Sequence, residues 1–321
     1  MRVLVFGDFG YETIPQRLVA RAMHRASAAR PFDLAVELGD NVYYCGPDPT
    51  RSGADACRFS PDGASVAAGS APPDDPLFAR NEAALAGLLG RDGAPLPIFL
   101  ALGNHDVAAT GKCAARGLPE AETARRRACL EVAHRTATWT MPARHYVVDR
   151  GAVRIIVVDT NVVVADYGGF TLDQEIAFVR DATAPCGPER ACFLAGHHPP
   201  AGVHGYSPRP VPYAARMARL LGAARGRVRA LFAGHLHTLE HLSLDGLDVF
   251  VSGSTAMGAF GAFRYRSPAR AQVRFATSAW GYAVLEADVR GYEVSFFDTG
   301  GKPLHCCAAG ADGPCRPVEC G

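Results

Sequence analysis

Five times along this chain a short apolar run ends in glycine and then, at once, in a side chain able to bind a metal ion. The runs are VLVFG before Asp8, AVELG before Asp40, IFLALG before Asn104, CFLAG before His197 and ALFAG before His235. Runs of this length, rich in Val, Leu, Ile and Phe, read as strands buried on both faces. A glycine at the end of each lets the backbone turn sharply, in conformations that a Cβ would strain. Each ligand is then offered just past the carboxyl end of a strand, where open α/β sheets place their sites. One such block is commonplace; five, drawing on Asp, Asn and His, predict an α/β fold with a metal centre at a sheet edge.

The rest of the chain is compatible with such a fold. At 321 residues it can bury a large core, and 48% hydrophobic with 20% charged residues is ordinary for a globular protein. Lys plus Arg (33) nearly balance Asp plus Glu (32), leaving +1. That balance speaks against a broad electrostatic grip on nucleic acid or anionic membrane, and no nucleic-acid partner is expected. It does not bar a small anionic substrate, because bound metal supplies local positive charge. No membrane span is expected either: the most apolar stretch, Val153 to Ala165, is interrupted by Asp159 and Asn161.

Ten cysteines fall mostly in loops, as near pairs at Cys45 and Cys57, Cys113 and Cys129, and Cys186 and Cys192, with four more at Cys306, Cys307, Cys315 and Cys320. An even number placed this way favours disulfides and a secreted or periplasmic location, with a second zinc site in the tail as the weaker alternative. The opening MRVLVFGD places a strand almost at residue 1 and no signal peptide in this chain, so a cytoplasmic location stays open.

Strands alternate with helical segments through the first two thirds of the chain. Arg2 to Phe6, Leu34 to Leu38, Leu96 to Leu102, Cys192 to Ala195 and Val228 to Phe232 are expected strands. Ile14 to Arg30, Leu77 to Leu89, Pro119 to His134, Leu172 to Arg180 and Tyr213 to Leu221 are expected helices. Tyr146 to Val148 and Val153 to Val158 read as an antiparallel pair. Short strands at Leu239 to Leu242, Asp248 to Val251, Tyr282 to Ala287 and Tyr292 to Phe297 suggest a second sheet closing the same fold. Residues 1–300 are therefore read as one domain. The Cys-rich tail, 301–321, is expected to be irregular and packed on it or disulfide-linked to it.

Mixed Asp, Asn and His ligands suit a pair of borderline to hard cations better than a thiolate site, and one carboxylate can bridge two ions. His235 and His237, two apart, can reach the same cluster from one loop. In order, GDFG (7–10), GDNVY (39–43), GNHD (103–106), GHH (196–198) and GHLH (234–237) resemble the motifs of the calcineurin-like metallophosphoesterase superfamily. The likeness runs from residue 2 to about 300. It implies a four-layer sandwich of two mixed β-sheets flanked by helices, and hydrolysis of phosphoesters.

Two features are similar to the small, tartrate-resistant-type purple acid phosphatases. Many phosphodiesterases of the superfamily carry Asp-x-His in the first motif, and here Gly10 takes the histidine's place. Tyr43 follows Asp40 at the D-x-x-Y spacing of the purple enzymes; phenolate is a hard anion suited to ferric iron. Tyr44 is the alternative if the turn differs. The resemblance implies Fe(III) on Asp8, Asp40, Tyr43 and His237. A second ion (Fe(II), Zn or Mn) would lie on Asp40, Asn104, His197 and His235. A small phosphoester is the implied substrate, attacked by metal-bound hydroxide while His105, with His204, assists the leaving group. Val203 departs from the family pattern, in which an acidic residue often precedes the histidine matched by His204, and leaves its charged form less supported. His198 is expected in a pocket wall or behind the ligands, and Asp106 as an orienting partner of His105 or its loop. Asp159 and Asn161 are expected to end their strand or to support the site. His24, His134, His145, His241 and His305 are expected in surface or satisfied structural roles. Two alternatives remain: a Zn or Mn phosphodiesterase or nucleotide hydrolase of the same fold, and a non-catalytic binding module.

Overall fold

The computed structural model describes residues 1–70, 75–203, 211–258, 271–311 and 313–321. Its strands in chain order are β1 (Arg2–Phe6), β2 (Leu34–Glu37), β3 (Ile98–Leu100), β4 (Tyr146–Arg150), β5 (Val153–Val157), β6 (Ala191–Ala195) and β7 (Ala230–Ala233). There follow β8 (Leu239–Leu244), β9 (Leu247–Ser252), β10 (Ala271–Thr277), β11 (Gly281–Asp288), β12 (Gly291–Asp298), β13 (Pro303–Gly310) and β14 (Arg316–Val318). Five α-helices lie between them: α1 (Ile14–Ala29), α2 (Pro76–Leu85), α3 (Glu120–Ala133), α4 (Leu172–Thr183) and α5 (Val211–Ala224).

The strands form two seven-stranded mixed sheets, ordered β14-β13-β12-β11-β1-β2-β3 and β10-β8-β9-β7-β6-β5-β4. β1, β2 and β3 run parallel in the first sheet, and β5, β6, β7 and β9 run parallel in the second. All the ligand-bearing strands are in these parallel parts. Alternation explains how the layers stack. Ile155, Phe193 and Phe232 join Val5, Val36 and Leu285 in a core shared by the two sheets. Their neighbours Ile156, Leu194 and Leu231 pack instead with Val179 of α4 and Met217 and Leu220 of α5. Each such side chain contributes about 1.5–3 kcal/mol by leaving water, so the period-two pattern alone commits these strands to the middle of a sandwich.

Helix starts follow from local chemistry. Thr13 accepts from the Gln16 N–H at the head of α1, with Pro15 in the first turn, and α4 opens on a Thr171–Gln174 capping box. No helix among the described residues is long and apolar enough to cross a membrane.

Two expectations require correction. The late strands do not make a sheet of their own. β8 and β9 extend the β4–β7 sheet, while β11 returns to pair with β1 and β12 pairs with β11, so the late strands are divided between the two sheets. The tail is not irregular either: β13 pairs with β12 from Gly291↔Gly310 to Phe297↔Pro303, and β14 with β13. β10, between them, carried no clear sequence signal.

All ten cysteines pair. Only Cys186–Cys192 joins a near pair of the sequence. Cys45–Cys113 and Cys57–Cys129 span 68 and 72 residues and tie the segment between β2 and α2 to α3 and the stretch before it. Cys306–Cys320 and Cys307–Cys315 close the tail upon itself, so backbone pairing rather than a disulfide attaches it to the first sheet. Such bonds stabilise chiefly by restricting the unfolded chain and persist in an oxidising compartment.

Candidate metal centre

The five ligand blocks converge where the carboxyl ends of the two parallel regions meet. Asp8, Asp40 and Asn104 follow β1, β2 and β3 of the first sheet; His197 and His235 follow β6 and β7 of the second. The glycines do not do what the sequence suggested. Of the five, only Gly39 has a positive φ; the ligands themselves take the left-handed conformation, Asp8 at 57°, Asp40 at 58°, His235 at 71° and His237 at 48°. Non-glycine residues held there cost about 1–3 kcal/mol each and cluster at functional sites. What the glycines provide is proximity: a Cβ on Gly39 would lie 2.7 Å from the Gly103 nitrogen, so two ligand loops touch backbone to backbone.

The first donor group is Asp8, Asp40 and His237, whose ligand atoms all lie within 4.8 Å of one another. The Tyr43 hydroxyl stands among them, 2.8 Å from Asp40 Oδ2, 3.1 Å from Asp8 Oδ1 and 3.2 Å from His237 Nε2. Burial and the two carboxylates hold its phenol well above the ordinary range. Gly10 cannot be replaced by the histidine of the Asp-x-His pattern, since any Cβ there would overlap the Asn41 carbonyl. Tyr44 faces away from the donors and packs on Tyr11 and His105.

The second group brings His197, His198 and His235 within the same 4.8 Å. His197 Nδ1 lies 2.9 Å from the Leu38 carbonyl and donates to it, which leaves Nε2 as the bare lone pair. That nitrogen meets Asn104 Oδ1 at 3.0 Å, His235 Nδ1 at 3.1 Å and Asp40 Oδ1 at 3.4 Å. Asp40 therefore faces both groups, Tyr43 and His237 through one side and His197 through the other. Burial opposes its charge, yet His197 and His105 draw it below its ordinary value. His237 is raised despite burial, by its bond to Asp8 and that carboxylate's charge.

The residues fit a pair of cations. Asp8 and Asp40 are 0% and 1% exposed, and among the described residues the only side chains paired with them in ion-pair geometry are His237 and His197. Two carboxylates this deep without Lys or Arg are costly. Oxygen donors from carboxylate, amide and phenol with imidazole nitrogens match borderline to hard metals.

His105 borders the centre. Its N–H donates to Asp40 Oδ1 (2.8 Å), and its ring donates Nδ1–H to the Tyr44 carbonyl (2.7 Å), turning Nε2 outward beside the Tyr43 ring. His204 lies outside the described residues.

Beneath the ligands runs a buried polar lattice, of which motif reading reached Asp106, Asp159 and Asn161 but not Asn41, Glu131 or Thr160. Asp106 accepts from the backbone N–H of Asp40 (2.9 Å), Val42 (2.9 Å) and Gly103 (2.7 Å), and so staples the second ligand loop to the third. Asn41 donates to Asp106, to the Ala101 carbonyl and to Glu131 of α3. Burial, then the charge of Asp40, raises Asp106 to about 6. Glu131 is pushed well above its usual range by burial and by Asp106. On the other side, Thr160 Oγ1 accepts from the N–H groups of His197 and His198, and Asn161 donates to the Leu102 and Gly103 carbonyls. Asp159 caps this turn through the Asn161 N–H. Thr160 was missed because a threonine after a strand carries no chemical signature.

The remaining histidines have structural partners: His24 the Ala84 carbonyl, His134 Glu82, His145 Glu175, and His241 both Asp248 and His305.

The sequence model of the family described as calcineurin-like phosphoesterase matches residues 1–239, a span that holds every ligand block. No curated protein matches the chain. Among solved structures, GAP50, the anchor in the inner membrane complex of Plasmodium, is similar at TM-score 0.67 and 17% identity, over 98% of this chain and 90% of that one. The purple acid phosphatase PPD1 of yellow lupin (Lupinus luteus) is similar at TM-score 0.62 and 14% identity, over 96% of this chain and 53% of its own, so this chain spans about half its length. A dimetal phosphatase of Danio rerio is similar at 0.54 and 12% identity, over 97% and 99%. At these identities the likeness is one of fold.

Proposed function

The chain belongs to the calcineurin-like phosphoesterase family, and on that premise we propose that it is a phosphomonoesterase of the purple acid phosphatase type, built around two metal ions. The observation that carries this reading is the Tyr43 hydroxyl, placed within 3.2 Å of Asp8, Asp40 and His237, beside a Gly10 that leaves no room for a histidine. Asp8, Asp40, Tyr43 and His237 hold Fe(III); Asp40, Asn104, His197 and His235 hold Fe(II), Zn or Mn. When bound, such a pair supplies Lewis acidity toward the phosphoryl oxygens and toward an attacking water.

The chain's own groups do the rest. Asp40 links the two donor sets and keeps them in register, because its backbone is held by Asp106 and its carboxylate by His105 and Tyr43. His105, its ring oriented by the Tyr44 carbonyl, acts as the imidazolium: Nδ1–H stays bonded to that carbonyl while Nε2–H passes its proton to the departing oxygen and leaves the ring neutral. His204, outside the described residues, is assigned to the same task. Residues 1–300 are the catalytic domain, with 301–321 an extension of its first sheet. The five disulfides support a secreted or periplasmic setting.

Colour tests this directly. Iron-loaded, oxidised protein is expected to show a visible tyrosinate-to-iron charge-transfer band, lost in Tyr43→Phe, and to hydrolyse nitrophenyl phosphate faster than the bis-ester. A colourless iron-loaded protein that prefers the diester would replace this reading with a Zn or Mn phosphodiesterase. A protein that binds metal but cleaves neither ester would be a binding module.

A further inference from the structure

Among the described residues, a cationic side chain near His105 has no assigned role. Two of the 33 basic residues are lysines, Lys112 and Lys302. The Lys112 ammonium lies 4.4 Å from the centre of the Tyr44 ring, and no carboxylate pairs with it among the described residues. Tyr44 in turn packs edge-on against His105 at 5.9 Å, and its carbonyl is the group that orients His105. Lys112 thus stands one aromatic ring beyond the proton donor.

This placement is enforced covalently. Cys45, next to Tyr44, is bonded to Cys113, next to Lys112, so the disulfide joins the two backbone segments that carry the cation and the ring. The Cys113 sulfur is also 3.4 Å from the Tyr44 carbonyl, and Cys113 is buried while Lys112 is exposed. A merely solvating lysine needs no such anchor. An ammonium fixed on an aromatic face, unpaired and facing outward, is suited to a second anion.

We propose that Lys112 is a second anion-binding point near His105, and that the site takes phosphomonoesters whose leaving group carries a further negative charge. The substrate class rests on the phosphomonoesterase reading above; the anion site does not. A charge at this partly exposed position acts on binding rather than on the chemical step, and salt screens it.

The test uses the metal-loaded full chain and a matched pair, 4-carboxyphenyl phosphate and its methyl ester, which differ in that one charge. The wild-type protein is expected to prefer the carboxylate by about fivefold in kcat/KM, through KM, and to lose the preference in strong salt. In Lys112→Met the ratio falls to about one, and Lys112→Arg restores it. A ratio unchanged in Lys112→Met, or a wild-type ratio of one, would overturn the proposal. A second arm needs no turnover. The hydrolysis-resistant phosphonate analogue of the carboxylate is expected to protect Lys112, and not Lys302, from acetylation read by mass spectrometry; equal labelling with and without it would also overturn the proposal. Failure to hydrolyse either ester counts against the phosphatase reading and leaves the protection arm to decide Lys112.

Discussion

The two sheets contribute different chemistry to the centre. Every proposed oxygen donor, Asp8, Asp40, Tyr43 and Asn104, follows a strand of the first sheet, and every proposed nitrogen donor, His197, His235 and His237, a strand of the second. The oxygen half is charged and sealed, resting on further buried carboxylates and amides: Asp106, Glu131, Asn41. The nitrogen half presents imidazoles and is steered by a hydroxyl and a carbonyl, Thr160 and Leu38. Anionic ligands gathered in a dry interior repel one another and need a rigid lattice beneath them. Imidazoles need only the right tautomer and ring angle. Neither sheet alone makes a site.

Four predictions press on this contrast, from the largest effect to the smallest. Asp106→Ala orphans three buried N–H groups under the oxygen half and is expected to cost about 3–5 kcal/mol in urea unfolding of metal-free protein. A loss below about 1 kcal/mol would mean that the lattice does not hold the loops.

The support of the nitrogen half includes one buried carboxyl, Glu175, which accepts from the Asp159 N–H and faces His145. Burial raises it to about 7, against the opposing influence of His145. Between its ordinary value near 4.5 and about 7, the folded chain holds a proton that the unfolded chain has released. This group's contribution to stability is therefore complete below about pH 4.5 and falls by about 3 kcal/mol as pH rises through 7. Glu175→Gln should flatten that fall in metal-free protein; a parallel pH profile would contradict it.

Thr160→Val removes the acceptor shared by His197 and His198 and is expected to cost about 1–2 kcal/mol and to weaken metal binding about tenfold, read by competition with a chelator. Tyr43→Phe is expected to change stability least, by less than about 1 kcal/mol in metal-free protein, while removing the iron band altogether.

Much of this was legible in the chain. Five apolar runs, each closed by Gly and a ligand, placed the parallel strands and the donors, because burial on both faces leaves continuous apolar sequence. The exchange of Gly10 for Tyr43 was read through the family resemblance, from the D-x-x-Y spacing after Asp40. Strand pairing could not: β8 and β11 look alike as short segments, yet long-range registry sends them to different sheets. The left-handed ligands and the role of the glycines were hidden because they depend on two loops meeting in space. Glu131 and Thr160 belong to the site only through contacts more than 35 residues long, such as Thr160 with His197, and the bonds of Asp106 to the second loop span as far.

The central claim is that the two halves meet at Asp40 in one two-metal centre. Elemental analysis of purified, metal-loaded protein beside Asp40→Asn tests it most directly. The account requires about two ions per chain in the wild-type protein and fewer than one in Asp40→Asn, because Asp40 serves both donor sets. One ion or none in the wild-type protein, or two retained without the Asp40 carboxylate, would contradict it.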